Sequence, residues 1–151
     1  MKYIVRLQSE ILNEIRQAPT KEEKINLLKQ NFNHALDLMF TFVYGPRKSP
    51  YENGVPQYKP DDSPYGYSYT TLNKECDRLC YFFDTKYFIK NDKIRDTKIK
   101  NILETLHFSE AALLENVFKK SLESYGITKE LVFEAFPQIK LRVESMVNNN
   151  G

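Results

Sequence analysis

Cys76 and Cys80 stand four residues apart, a spacing that places two thiols on one face of a helix. Zinc needs about four ligands, and the sequence shows no second cysteine pair and no histidine near these two. Both are therefore read as small apolar core residues. His34 and His107 lie far apart in the chain, each without a neighbour that would make it a general base or a ligand. Asp61 and Asp62 adjoin in a Pro-rich stretch, where such a pair more often solvates a turn than holds a cation. No G-x-x-x-x-G-K-[ST] run is present, and the five glycines are too scattered to cradle a phosphate. The sequence accordingly assigns no catalytic residue, no metal site, no cofactor and no small-molecule substrate.

What the residues do supply is local cation density. Lys86, Lys90, Lys93, Arg95, Lys98 and Lys100 crowd residues 86–100 against Asp92 and Asp96. Clustered lysines and arginines beside helix ends neutralise phosphates and gain affinity by releasing counterions. The bland alternative is a solvated helix face. Arg47, Lys48 and Lys59 add charge in a loop that also carries Tyr51 and Tyr58. Tyrosine is amphipathic and enriched at interfaces, so it adds weight to binding without saying what is bound. The net charge is only +2, so any attraction to phosphate must come from these local patches rather than from a global field.

The elements that would position these residues are helices. Ile4, Leu7, Ile11 and Ile15 recur at spacings of three and four, predicting a helix over 3–17 that Pro19 closes. Thr20-Lys21-Glu22-Glu23 reads as a capping box opening a second helix to about Asn31. Leu36, Met39, Phe40 and Val43 predict a third, ended at Gly45-Pro46. Thr71 caps a fourth to about Tyr87, with Leu72, Cys76, Leu79, Cys80 and Phe83 inward. A fifth runs through Ile99, Ile102, Leu103 and Leu106. Ser109 caps a sixth that Gly126 stops, and Thr128 caps a short seventh ending at Phe136-Pro137.

Residues 45–69 break this rhythm. Five of the seven prolines fall there (Pro46, Pro50, Pro56, Pro60, Pro64), with Tyr51, Tyr58, Tyr65, Tyr67 and Tyr69 among them. A loop longer than about 15 residues inside a compact domain tends to be functional or disordered. These tyrosines give it something to pack with, so an ordered loop wrapped on the helical body is expected.

A chain of 151 residues that is 41% hydrophobic and 13% aromatic can bury a core without disulfides or metals. The expected architecture is all-α: one domain of about seven helices over 1–147, one long Pro/Tyr-rich loop, and a disordered tail at 148–151. No apolar run approaches the ~20 residues that span a bilayer, and the N-terminus has no signal-peptide pattern. Two cysteines in that context point to a reducing, cytoplasmic setting.

Ile11-Leu12-Asn13-Glu14-Ile15, then Thr20-Lys21-Glu22-Glu23-Lys24 with Leu28-Lys29, resembles the opening of the N-terminal helical DNA-binding domain of viral ATP-dependent DNA ligases of the T4-like phage type. Leu122-Glu123, Gly126 and Ala135-Phe136-Pro137-Gln138-Ile139 are similar to that domain's closing stretch. The segment from Gly54 to Pro64 also resembles a group of small uncharacterised proteins of T4-like phages. The ligase nucleophile motif Lys-x-Asp-Gly and the adenylation domain are absent from this sequence, and the basic-acidic pair before Leu122 is reduced to Lys120-Ser121.

The resemblance implies a DNA-binding-domain homologue without ligation chemistry. The expected partner is duplex DNA held by its backbone, through Arg47, Lys48, Lys59, Lys90, Lys93, Arg95, Lys98 and Lys100, with Tyr51 and Tyr58 against sugars or holding the loop. The alternative is an adaptor that uses the Tyr/Pro loop to grip a replication or host protein.

Overall fold

Side chains waiting to receive orphan amides decide where several helices begin. Thr20, Asn33, Thr71, Asn91 and Thr128 each accept a hydrogen bond from the amide three residues on, at 2.9 to 3.3 Å. Each such cap contributes about 1 kcal/mol. The computed structural model describes residues 6–64 and 67–150. In chain order the helices are α1 (Gln8–Gln17), α2 (Lys21–Asn31), α3 (His34–Tyr44), α4 (Leu72–Glu75) and α5 (Cys80–Phe83). Then come α6 (Asp92–Thr105), α7 (Phe108–Phe118), α8 (Lys129–Ala135) and α9 (Pro137–Asn150). Among the described residues there is no strand, only an isolated bridge between Asp61 and His107. The class is all-α, as the periodicity predicts.

The core is built around α7. Ala111, Leu113, Leu114, Val117 and Phe118 are fully shielded from solvent, and the helix packs on α1, α3 and α6. Phe118 meets Phe42, Tyr51, Phe82 and Phe83 edge-on, with ring centroids 5.2 to 6.2 Å apart. This is the geometry that the ring quadrupoles favour. A second layer forms where α2 packs on α1 and α8, and α9 on α3 and α8.

One buried carboxylate sits where helix N-termini converge. Glu110, in the first turn of α7, accepts from the Gln8 amide at 2.9 Å and the Leu72 amide at 3.0 Å. Those are the first residues of α1 and α4. Neither the Leu7 position before α1 nor any side chain of that turn caps the helix, so Glu110 supplies the cap from a distant part of the chain. Desolvation pushes its carboxyl above the ordinary range, and the two amide bonds pull it back.

The loop is ordered over its described residues. Tyr51 is buried, and its hydroxyl donates to Asp96 at 2.8 Å. The Tyr58 hydroxyl donates to Glu115 at 3.0 Å, and the Lys59 amide to Glu104 at 2.8 Å. Asp61 accepts from the Ser63 amide and hydroxyl, closing a local turn. Tyr65 and Gly66 lie outside the described residues.

Several boundaries differ from the sequence reading. The helix expected over 71–87 stops at Phe83 and is tightened into a 3-10 turn at Cys76–Leu79. Its end is fixed by Arg47, whose Nη1 donates to the Phe83 carbonyl at 2.7 Å, and by Asp84, which accepts from the Lys86 amide at 3.0 Å. His107, not Ser109, caps α7. That helix ends at Phe118, because Lys120 takes a left-handed conformation at φ 60° and reverses the chain. Gly126, at φ 70°, instead closes the 3-10 turn Glu123–Tyr125. Pro137 was expected to mark a stop, yet it stands at the first position of α9, where its missing amide hydrogen costs nothing. This helix continues to Asn150, into the segment expected to be disordered, and Gly151 lies outside the described residues. Ile4 is also outside them, and α1 begins at Gln8.

Candidate functional site

The basic residues singled out in the sequence divide into two groups. Arg95 belongs to the interior. Its side chain is 11% exposed, and its guanidinium lies over the rings of Tyr51 and Phe88 at 5.6 and 5.2 Å. Nη1 donates to the Ile89 carbonyl at 3.0 Å and Nη2 to Asp92 at 2.6 Å. Arg47 is likewise engaged, pinning the loop to the end of α5 through Phe83 and Asp84. Lys48, Lys59, Lys90, Lys93, Lys98 and Lys100 are exposed.

This division gives a first expectation. Arg95→Ala uncovers two ring faces and leaves the Ile89 carbonyl without its donor, so it is expected to cost about 2 kcal/mol in chemical denaturation. Lys93→Ala, at an exposed position of the same helix, is expected to stay within about ±0.5 kcal/mol. Equal, small effects for the two would contradict the structural role of Arg95.

The exposed lysines of α6 do not form a single patch. Ile99, Ile102 and Leu103 face the core. At 3.6 residues per turn, Lys98 projects about 100° to one side of Ile99 and Lys100 about 100° to the other. Lys93, two turns before Lys100, shares its flank. The outer line between the flanks is uncharged over Ile94, Thr97 and Asn101, all exposed. Lys98 also lines a cleft of about 590 Å³ with Arg78, Tyr69, Tyr81 and Asn101. Its ammonium sits 5.3 Å over the Tyr81 ring, and Tyr69 is 91% exposed.

Tyr51 and Tyr58, expected at sugars or as loop anchors, act as anchors, with hydroxyls committed to Asp96 and Glu115. Burial dominates in raising both phenols above their ordinary range. Lys120 is occupied too. Its ammonium donates to the carbonyls of Gly45 at 2.7 Å and Arg47 at 2.5 Å, just beyond the end of α3. Among the described residues the exposed aromatic side chains are others: Tyr67, Tyr69, Tyr81, Tyr87 and Phe108.

Two constellations were invisible in the sequence. The first is buried and polar. Ser9 Oγ lies 2.8 Å from Ser109 Oγ, which lies 2.7 Å from His107 Nδ1. The Ser109 amide donates to that same nitrogen at 3.2 Å, so Nδ1 is an acceptor and the ring hydrogen sits on Nε2. Burial pushes His107 below its ordinary pKa, against the nearby Asp61. His107 is only 2% exposed and caps α7, so this set ties α1 to α7 rather than meeting solvent.

The second constellation corrects the expectation that neither Cys76 nor His34 has a partner. His34 opens α3 and Cys76-Asp77 opens the 3-10 turn, and packing brings the two together. His34 Nε2 is 3.3 Å from Asp77 Oδ1, and one donor atom from each of His34, Cys76 and Asp77 lies within 4.8 Å of the others. They border a cavity of about 460 Å³ also lined by Cys80, Arg142 and Met146. The signal was tertiary, so no local spacing could have revealed it.

The fold and its surface define an all-helical domain with one lysine-flanked outer helix and interior polar caps. The chain belongs to the family of unknown function DUF6433, which matches residues 11–124 and so takes in the whole loop and α2 through α7. No curated protein and no solved structure matches it. No helix among the described residues is long and apolar enough to cross a membrane.

Proposed function

We propose that this chain is a non-catalytic DNA-binding accessory protein that holds duplex DNA by its backbone, with α6 as the contact ridge. The observation that carries the reading is the pair of lysine flanks, Lys98 on one side and Lys93 and Lys100 on the other. A helix with its side chains is about 10–12 Å across, and the major groove is about 12 Å wide. Lysines on both flanks then face phosphates of the two strands that border the groove. Lys90, just before α6, extends the contact. Backbone contacts of this kind position a protein and carry little sequence information. Arg78, Tyr69 and Tyr81 extend the Lys98 flank with a cation and two aromatic surfaces suited to sugar and phosphate.

The resemblance of both chain ends to ligase DNA-binding domains supports the same partner. The likeness of the Gly54–Pro64 segment to small T4-like phage proteins supports a phage-encoded protein acting in the host cytoplasm. No reaction is assigned: the buried Glu110 and His107 serve as helix caps. The adaptor alternative loses Tyr51 and Tyr58, which hold the loop to the body, and among the described loop tyrosines it rests on Tyr67 and Tyr69.

An amide-resolved NMR titration with a short duplex at low salt tests the reading. Shifts are expected to concentrate at residues 90–101 and at Tyr81, with the buried amides of α7 unmoved. Perturbation confined to Tyr67, Tyr69 and their neighbours, or none at all, would contradict α6 as the ridge.

A further inference from the structure

His34, Cys76 and Asp77 bring a nitrogen, a sulfur and an oxygen donor within 4.8 Å of one another on the rim of a cavity. A tetrahedral zinc ion with Zn–N and Zn–O near 2.0–2.1 Å requires its nitrogen and oxygen ligands about 3.3 Å apart. His34 Nε2 and Asp77 Oδ1 stand 3.3 Å apart. The sulfur donor falls within the same 4.8 Å cluster. His34 and Asp77 have exposed side chains, 60% and 87%, free to make the last adjustment, whereas Cys76 is fixed in the packed interior. Three protein ligands with one open position is a recognised zinc arrangement. The thiolate and imidazole select a borderline-soft ion over magnesium or calcium, which take oxygen ligands.

We propose that His34 Nε2, the Cys76 thiolate and a carboxylate oxygen of Asp77 form a binding site for a zinc-class divalent cation, with its fourth position open to the cavity that Cys80 also lines. The ion would fasten the start of α3 to the 3-10 turn at Cys76–Leu79. That turn is a local departure from α geometry within the 72–83 segment. Binding displaces the hydrogen bond that the thiol now donates to the Asn73 carbonyl at 3.2 Å, and the thiol proton leaves to solvent. The site uses none of the exposed lysines of α6, and its metal readout needs no DNA, so its failure is distinguishable from failure of DNA binding.

Cobalt(II) is the probe, because its thiolate charge-transfer band and tetrahedral d–d bands report sulfur ligation and geometry directly. The reduced full chain is expected to develop both on titration, and equimolar zinc(II) is expected to bleach them. His34→Ala leaves an exposed position and does not threaten the fold. It is expected to weaken binding by more than about tenfold, since even outer partners of metal ligands are worth 10–100-fold. Cys76→Ser is expected to abolish the charge-transfer band, and Cys80→Ala to keep it. Absence of the band in the wild-type chain, or a titration unchanged by His34→Ala, would overturn the site. Loss of the band in Cys80→Ala with its retention in Cys76→Ser would overturn the ligand set.

Discussion

Glu110→Ala is expected to lower the free energy of unfolding by about 4 kcal/mol, because two buried helix-initial amides each lose an acceptor at about 1–3 kcal/mol apiece. Glu110 is 0% exposed, so both amides are shielded from bulk solvent. The lost contacts join three separate parts of the chain, through Gln8, Leu72 and α7 itself. Glu110→Gln keeps one carbonyl oxygen but turns an amide donor toward the other backbone N–H, so about half the loss is expected to remain. Desolvation raises the carboxyl above its unfolded value, and the sign of the linkage follows. The folded chain binds this proton more readily than the unfolded chain, so the group's contribution to stability falls as pH rises through the folded pKa. Glu110→Gln removes that part of the pH dependence. Urea midpoints of the two variants, with unchanged m-values, measure these losses. A loss under about 1 kcal/mol for Glu110→Ala would show that α1 and α4 do not depend on it.

The helices were legible because their signals are local. Thr20, Thr71 and Thr128 cap as their positions in the sequence suggest, and Ile99, Ile102 and Leu103 face the core as their spacing requires. Elsewhere the local signal was overridden by a distant residue or was itself ambiguous. Phe83 ends its helical segment because Arg47 takes its carbonyl, and nothing near Phe83 announces that. α9 was missed because Pro137 at a first helical position looks the same in sequence as Pro137 after a last one, and exposed Leu141 and Val147 blur the Ile139–Val143 stripe. The cation cluster was visible as composition, but composition does not separate Arg95, buried between two rings, from Lys93, in water. The His34, Cys76 and Asp77 set depends wholly on how α3 meets the segment after Thr71.

The affinity for duplex DNA is expected to fall steeply with salt, and this is the largest effect the proposed function implies. Lys93, Lys98 and Lys100, with Lys90 or Arg78, neutralise on the order of four phosphates, which gives a slope of log K against log salt of about −3.6. Between 50 and 200 mM salt the binding constant then drops about 150-fold. At physiological salt the dissociation constant is expected to lie in the range of about 10⁻⁴–10⁻⁶ M, typical of sequence-tolerant contacts. Removing three of the four cations in Lys93→Ala/Lys98→Ala/Lys100→Ala leaves a slope of about −0.9. All three positions are exposed, so the fold is expected to be unaffected, unlike in any variant that includes Arg95. Fluorescence anisotropy with a labelled duplex, read across a salt series for the wild-type chain and this triple variant, measures both slopes. A wild-type slope near −3.6 that flattens to near −0.9 is the predicted result. No binding at 50 mM salt, or a triple variant with the wild-type slope, would contradict α6 as the DNA-binding surface.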